Sequence, residues 1–153
     1  MEYILEADKD EGCVFCKISK EEPGEENLIV YKGEKSLVIM NKFPYNNGHI
    51  MVMPYGHKGD LADLSSEERL DLMNNLDFSV ENLKKLMAPQ GFNIGLNLGR
   101  SAGAGVEGHL HFHIVPRWNG DTNFMTVFDD VRVVPEHIIK TYRKLYDTFN
   151  LDK

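Results

Sequence analysis

Three histidines at every second position, His109, His111 and His113, stand in the run Gly108-His109-Leu110-His111-Phe112-His113-Ile114-Val115-Pro116. A period of two is that of an extended strand, which sends the three imidazoles to one face and Leu110, Phe112 and Ile114 to the other. One face suits chemistry and the other packing. Near neutral pH an imidazole donates protons, binds metal or attacks an electrophile, so aligned rings form a reactive surface. Three readings follow. Histidines satisfied inside a core would leave six ring nitrogens seeking partners, which a dry interior seldom supplies. A His-x-His pair on a strand can bind zinc at about 2.0–2.1 Å per nitrogen. In nucleophilic catalysis one ring attacks while its neighbours orient it or oppose developing charge.

The chain that must position this strand has 153 residues, enough for a single domain over 1–153 that buries about two-thirds of its unfolded surface. Apolar content of 42% and charged content of 27% are those of a water-soluble globular fold, and no apolar run approaches the roughly 18 residues of a membrane span. The acidic opening Met1 to Asp8 lacks the basic region of a secretory signal, which points to a cytoplasmic protein with no membrane partner. A net charge of −7 argues against binding a nucleic-acid polymer. It does not exclude a small anionic substrate, which feels the local site more than a distant surface.

Before the triad, Cys13 and Cys16 form the chain's one Cys-x-x-Cys and are its only cysteines, which leaves a redox pair, half of a zinc site or two packed thiols. Residues 1–12 read as an arm or a short lead-in helix. Two strands are expected at 27–32 and 35–40 around a Gly33-Glu34 turn, and a third at 49–54 after the turn-rich 41–48. On spacing alone Asn41 is equally a turn residue or a ligand contact. Ser65-Ser66-Glu67-Glu68 has the form of a capping box and opens a long helix, with Leu70, Met73, Leu76 or Asp77, Val80, Leu83 and Met87 as its stripe and Pro89-Gln90-Gly91 as its end. Residues 91–98 alternate again, placing Asn93, Gly95 and Asn97 on one face. The loop Gly99 to Gly108 carries four glycines and Arg100. Its backbone N–H groups could converge on phosphate, or it could be a flexible hairpin loop. Val134-Pro135 opens a last helix, with Ile138, Tyr142, Leu145 and Phe149 on one face. The sum is an α+β protein.

The run His109 to Val115 resembles the His-φ-His-φ-His-φ-φ signature (φ apolar) of the histidine-triad, or HIT, family of nucleotide hydrolases and transferases. The likeness extends to 13–18, to 41–49 and Pro54, to 91–99 and to Pro116-Arg117-Trp118, and it is nearest to the diadenosine tetraphosphate hydrolase and phosphorylase branch. It implies a HIT-like fold: a mainly antiparallel sheet of about five strands, a long helix and a C-terminal helix near 135–150, the core spanning about 13–128, paired as a homodimer. It implies cleavage of a dinucleoside polyphosphate at the α-phosphorus, with His111 as nucleophile and a nucleotidyl-histidine intermediate. By the same resemblance His113 and His49 contact the non-bridging oxygens, and His109 orients His111 or binds zinc. Asn41 takes the ribose, while Asn97, Ser101 and Gly105 take phosphates or the leaving group. Some relatives complete a structural zinc site that here would be Cys13, Cys16, His57 and His109, and Mg²⁺ carried by the substrate's phosphates is compatible. Many relatives have a Gln about four residues before the first triad His, where this chain reads Ala104-Gly105-Val106, so water and phosphate both stand as acceptors. Three alternatives remain: a nucleoside phosphoramidase, a nucleotide-binding sensor without turnover, and a zinc hydrolase built on the three histidines.

Overall fold

The structure is a computed structural model that describes residues 12–122 and 136–153. Its elements are α1 (Val14–Ile18), β1 (Ile29–Lys32), β2 (Ser36–Met40), β3 (Ile50–Pro54), α2 (Ser66–Met87), β4 (Gly91–Leu96), β5 (Phe112–Arg117) and α3 (Ile138–Phe149). The five strands form one antiparallel sheet in the order β1-β2-β3-β5-β4. The triad strand is thus interior, while β4 is an edge. The expected lead-in arm and the Val134-Pro135 helix start lie outside the described residues; α3 is capped by His137, whose side chain accepts from the Ile139 N–H.

β2 and β3 are buried along their whole length, so both faces of the sheet are covered at these two strands. On one face Val38, Met40, Ile50, Val52 and Ile114 pack against Leu72, Leu76 and Leu83 of α2 and Tyr142, Leu145 and Phe149 of α3. On the other, Leu37, Ile39, Met51 and Met53 pack against Cys13, Phe15 and Cys16 of the α1 segment and Val106 of the glycine-rich loop. Full burial of side chains this size contributes about 1.5–3 kcal/mol each. That energy holds the cysteine segment and the loop on the face where the histidines emerge.

The capping box opens α2 as expected: Ser65 Oγ accepts from the Glu68 N–H and Glu68 reaches back to the Ser65 N–H. The expected stripe holds at Leu76, Val80, Leu83 and Met87, which are buried or packed on the core, and is corrected in the first turns. Leu70 and Met73 face solvent, and the buried row is Leu72, Asn75, Leu76, Ser79, Asn82 and Leu83. Three polar residues share the inner face, each on different terms: Asn75 Nδ2 donates across to Ser36 Oγ, Asn82 Nδ2 donates back to the Phe78 carbonyl of its own helix, and the Ser79 hydroxyl is buried with no hydrogen-bond partner among the described residues. An apolar count therefore misplaces the inner face in the first turns of the helix and finds it from Leu76 onward. At its C-terminal end α2 packs on the turn that delivers His49. Gly48 has φ +76°, and a Cβ there would meet Met87 Sδ at 2.6 Å, so the turn needs both a left-handed backbone and no side chain.

β4 ends at Leu96, two residues short of expectation, and a 3₁₀ turn at Arg100–Ala102 follows. β5 begins at Phe112. His109 and His111 therefore lie in an extended lead-in that is held from its other side, where the Leu110 N–H donates to the Lys58 carbonyl at 2.7 Å. The alternation survives outside the ladder, with Leu110 and Ile114 buried on the α2 side.

Candidate active site and metal centre

His109 is fully buried, and its Nε2 lies 2.8 Å from the Pro54 carbonyl. A carbonyl only accepts, so Nε2 carries the proton and Nδ1 presents a lone pair. That lone pair faces sulfur: Cys13 Sγ is at 3.5 Å and Cys16 Sγ at 3.4 Å, and Cys16 Sγ is also 3.3 Å from His57 Nδ1. All four ligand atoms lie within 4.8 Å of one another. Tetrahedral zinc, with Zn–S about 2.3 Å and Zn–N about 2.0–2.1 Å, sets S···N edges of roughly 3.5 Å. The Cys13, Cys16, His57 and His109 set therefore fits a four-coordinate ion, with the Pro54 carbonyl fixing the ring of one ligand from behind. The three triad histidines do not converge on a common point, as a zinc hydrolase built on them requires. His109 turns to the cysteines, away from the others.

His111 is buried, with 6% of its surface exposed, between Phe15 on one side and His113 on the other. Its Nδ1 donates to the His109 carbonyl at 2.9 Å, which leaves Nε2 as the unprotonated nitrogen. Burial also holds its pKa below that of an ordinary histidine, opposed in part by that carbonyl. The ring that carries the lone pair is thus fixed by the residue that faces the metal site.

His49 is fully buried. Its Nδ1 accepts from the Tyr45 N–H at 3.1 Å, so in the neutral ring Nε2 carries the proton and donates it to His113 Nδ1 at 2.9 Å. Asn41 Nδ2, 3.4 Å from the same Nε2, is itself a donor and makes only a contact. With both nitrogens turned to protein, His49 holds the ring of His113. The relay leaves His113 with Nε2–H aimed outward, a donor for a phosphoryl oxygen. Burial, with the His111 ring beside it, lowers the His113 pKa to about 4.

A pH dependence follows. Because the folded pKa of His113 lies below the ordinary value near 6.5, the unfolded chain binds more protons between the two. The neutral-ring contribution to stability is complete above about pH 6.5 and is lost as the pH falls through about 4. Urea midpoints measured from pH 7 to 4 should fall, and should fall less in His113→Gln. Equal slopes in the two proteins would refute the burial argument.

The remaining expected residues surround this row. Asn41 follows β2, with Oδ1 accepting from the Phe43 N–H in a local turn and its amide beside His49. Asn97 lies just past β4, partly buried, while Ser101 and Gly105 are exposed in the loop. The expected cradle of loop N–H groups is reduced, because those of Ala102, Gly103 and Ala104 donate to the Gly99 and Arg100 carbonyls. Sequence reasoning missed Tyr45, whose ring stacks on His113 at 6.2 Å and 15° and covers His49 at 4.6 Å. It also missed the Arg117–Asp121 clamp, with bonds of 2.6 and 2.9 Å that hold the Asp121 carboxyl well below the usual carboxylate range. Only the i, i+4 opposite charges hinted at it.

A row of histidines on one face of an antiparallel sheet, with α2 and α3 on the other, is an α+β arrangement built to present imidazoles. The HIT domain profile matches residues 22–120, and the chain belongs to the HIT family. An AP-4-A phosphorylase of Mycobacterium tuberculosis is 43% identical over 121 residues, covering 79% of this chain and 62% of that protein, so this chain spans less than two-thirds of that relative's length. An adenosine 5′-monophosphoramidase of Schizosaccharomyces pombe is 30% identical over 128 residues, 83% of this chain and 90% of that one. A zinc-bound histidine triad family protein from Mycobacterium smegmatis superposes with a TM-score of 0.73 at 27% identity, covering 94% of this chain and 96% of the other. Among the described residues no helix is long and apolar enough to cross a membrane.

Proposed function

We propose that this chain is a nucleotidyl-transferring enzyme that cleaves dinucleoside polyphosphates of the diadenosine tetraphosphate type at the α-phosphorus, with water or inorganic phosphate as acceptor. The observation that carries the reading is the fixed tautomer of His111, whose Nδ1–H is tied to a backbone carbonyl and whose Nε2 lone pair is left to attack. His111 Nε2 bonds to the α-phosphorus and the distal phosphate leaves with the bridging oxygen. The acceptor's oxygen then displaces His111 and restores the lone pair. His113 Nε2–H opposes the charge that develops on a non-bridging oxygen, which is the point at which a preorganised donor acts most strongly. Tyr45 and His49 act behind it, by holding its tautomer.

Support for the substrate class comes from the AP-4-A phosphorylase of Mycobacterium tuberculosis. The Schizosaccharomyces pombe phosphoramidase favours a second reading, cleavage of a P–N bond by the same two histidines. Asn41 is assigned to the ribose, and Asn97, Ser101 and Gly105 to the phosphate chain or leaving group. Zinc at Cys13, Cys16, His57 and His109 is structural in this proposal: it ties the α1 segment to the residue that orients His111. The protein is assigned to the cytoplasm as a homodimer, for which β4, an edge of the sheet among the described residues, with Ile94 and Leu98 exposed beside it, offers a surface.

Incubation with diadenosine tetraphosphate, with and without inorganic phosphate, tests this directly. AMP plus ATP without phosphate marks a hydrolase, and phosphate-dependent ADP plus ATP marks a phosphorylase. No turnover of the dinucleotide, with release of AMP from adenosine 5′-phosphoramidate, would replace the proposal by the phosphoramidase reading.

A further inference from the structure

On the histidine face, β1, β2 and β3 are covered by the α1 segment and Val106, whereas among the described residues nothing packs over β4 and the end of β5 in the same way. Beside His113 this uncovered strip forms a cavity of about 340 Å³, floored by Asn93, Gly95, Val115 and Arg117 and walled by Tyr45 and Asn97. Its size lies within the range of small-molecule sites, roughly 300–1,000 Å³. Gly95 pairs with His113 and Asn93 with Val115 across the two strands, so these residues share one face.

The lining is chosen for a neutral heteroaromatic group. Tyr45, half exposed, offers a flat ring, Val115 an apolar floor, and Asn93 and Asn97 amides that can meet the polar edge of a purine. The charge of Arg117 does not reach out for phosphate, because Asp121 holds it through two bonds and Asn93 Oδ1 accepts from its Nη1 at 2.7 Å. Position gives the same answer. Asn41 lies at the end of β2, His113 on β5 and the cavity over β4, and β2 to β4 is three strand spacings, roughly 14 Å. A substrate with its first ribose at Asn41 and its α-phosphorus at His111 and His113 extends its leaving half toward β4.

We infer that the cavity over Gly95 is the subsite for the second nucleoside of the dinucleotide, held by Tyr45 stacking and the Asn93 and Asn97 amides. This rests on the dinucleoside reading given above. It makes the leaving half of the substrate a determinant of specificity, read by a surface separate from the one that reacts.

Gly95 supplies the test, because a Cβ built there meets nothing within 4 Å and its backbone is that of an ordinary strand. Gly95→Val fills the cavity without strain. Its kcat/KM for diadenosine tetraphosphate is to be compared with that for adenosine 5′-phosphosulfate, which has the same α-phosphorus and a leaving group with no base. The expected result is a fall of at least tenfold in the dinucleotide-to-phosphosulfate ratio, with Asn93→Ala lowering it at least threefold. A ratio within twofold of wild type in the folded variants would overturn the subsite. So would a raised KM for inorganic phosphate with both substrates alike, since the cavity would then hold the acceptor. If Gly95→Val does not fold, as judged by circular dichroism, Asn93→Ala decides by the same ratio. Wild type inactive on both substrates would instead sink the dinucleoside reading itself.

Discussion

Replacing His111 with alanine is expected to lower turnover of diadenosine tetraphosphate by roughly 10⁴-fold or more, the scale seen when a covalent nucleophile is deleted elsewhere. The size follows from the geometry. His111 Nε2 is the lone pair that the His109 carbonyl leaves uncommitted, while His113 Nδ1 is occupied by His49 and His109 Nδ1 faces the cysteines. No neighbouring ring can take over the attack: His113 would have to change its tautomer, and His109 turns its lone pair to the cysteines. His111→Asn is the companion variant, because its amide can still donate toward the His109 carbonyl and keep the buried site filled. Both variants should keep nucleotide binding, read by calorimetry, and wild-type protein denatured in alkali during turnover, where a P–N bond survives, should carry a nucleotidyl group of AMP mass on the His111 peptide. Residual turnover above about a hundredth of wild type in both folded variants would remove His111 from the nucleophile's place.

The second large effect is expected at the cysteine cluster. Purified protein should hold one equivalent of zinc per chain, and Cys16→Ala should lose it. Binding to structural zinc sites in isolated fingers is worth about 10–16 kcal/mol, most of it folding energy. Here Leu37, Ile39, Met51 and Met53 also hold the α1 segment, so the loss is partial. Even about 3 kcal/mol of it would lower Tm by roughly 6–12 °C in a chain of this size. Activity should fall as well, because His109 both faces the cluster and offers the carbonyl that orients His111. Metal analysis and Tm are independent of that activity. A Cys16→Ala protein with wild-type zinc content and Tm would refute the assignment.

The sequence by itself determined the reactive face. Alternation of His with Leu, Phe and Ile fixes which residues share a side of an extended chain, because side chains of such a chain project alternately whatever it pairs with. That argument held even for His109 and His111, which precede the ladder of β5. The capping box at Ser65 was legible for a similar reason, since its partners are three residues apart.

What the tertiary structure decided are the contacts between residues distant in the chain. Cys16 and His109 are 93 residues apart and His49 and His113 are 64 apart, and only the sheet order brings them together. Tautomers belong to the same group: each ring's proton was assigned by a backbone atom, the Pro54 carbonyl, the His109 carbonyl or the Tyr45 N–H, that has no side-chain signature. Four of the six triad nitrogens find protein partners in this way, so the histidines are largely buried and still leave two nitrogens toward the open face. The inner face of α2 was hidden because Asn75, Ser79 and Asn82 line it while Leu70 and Met73 do not. Of the three only Asn75 bonds across the core, to Ser36 Oγ, and that partner, 39 residues away in the chain, is supplied by the packed molecule alone.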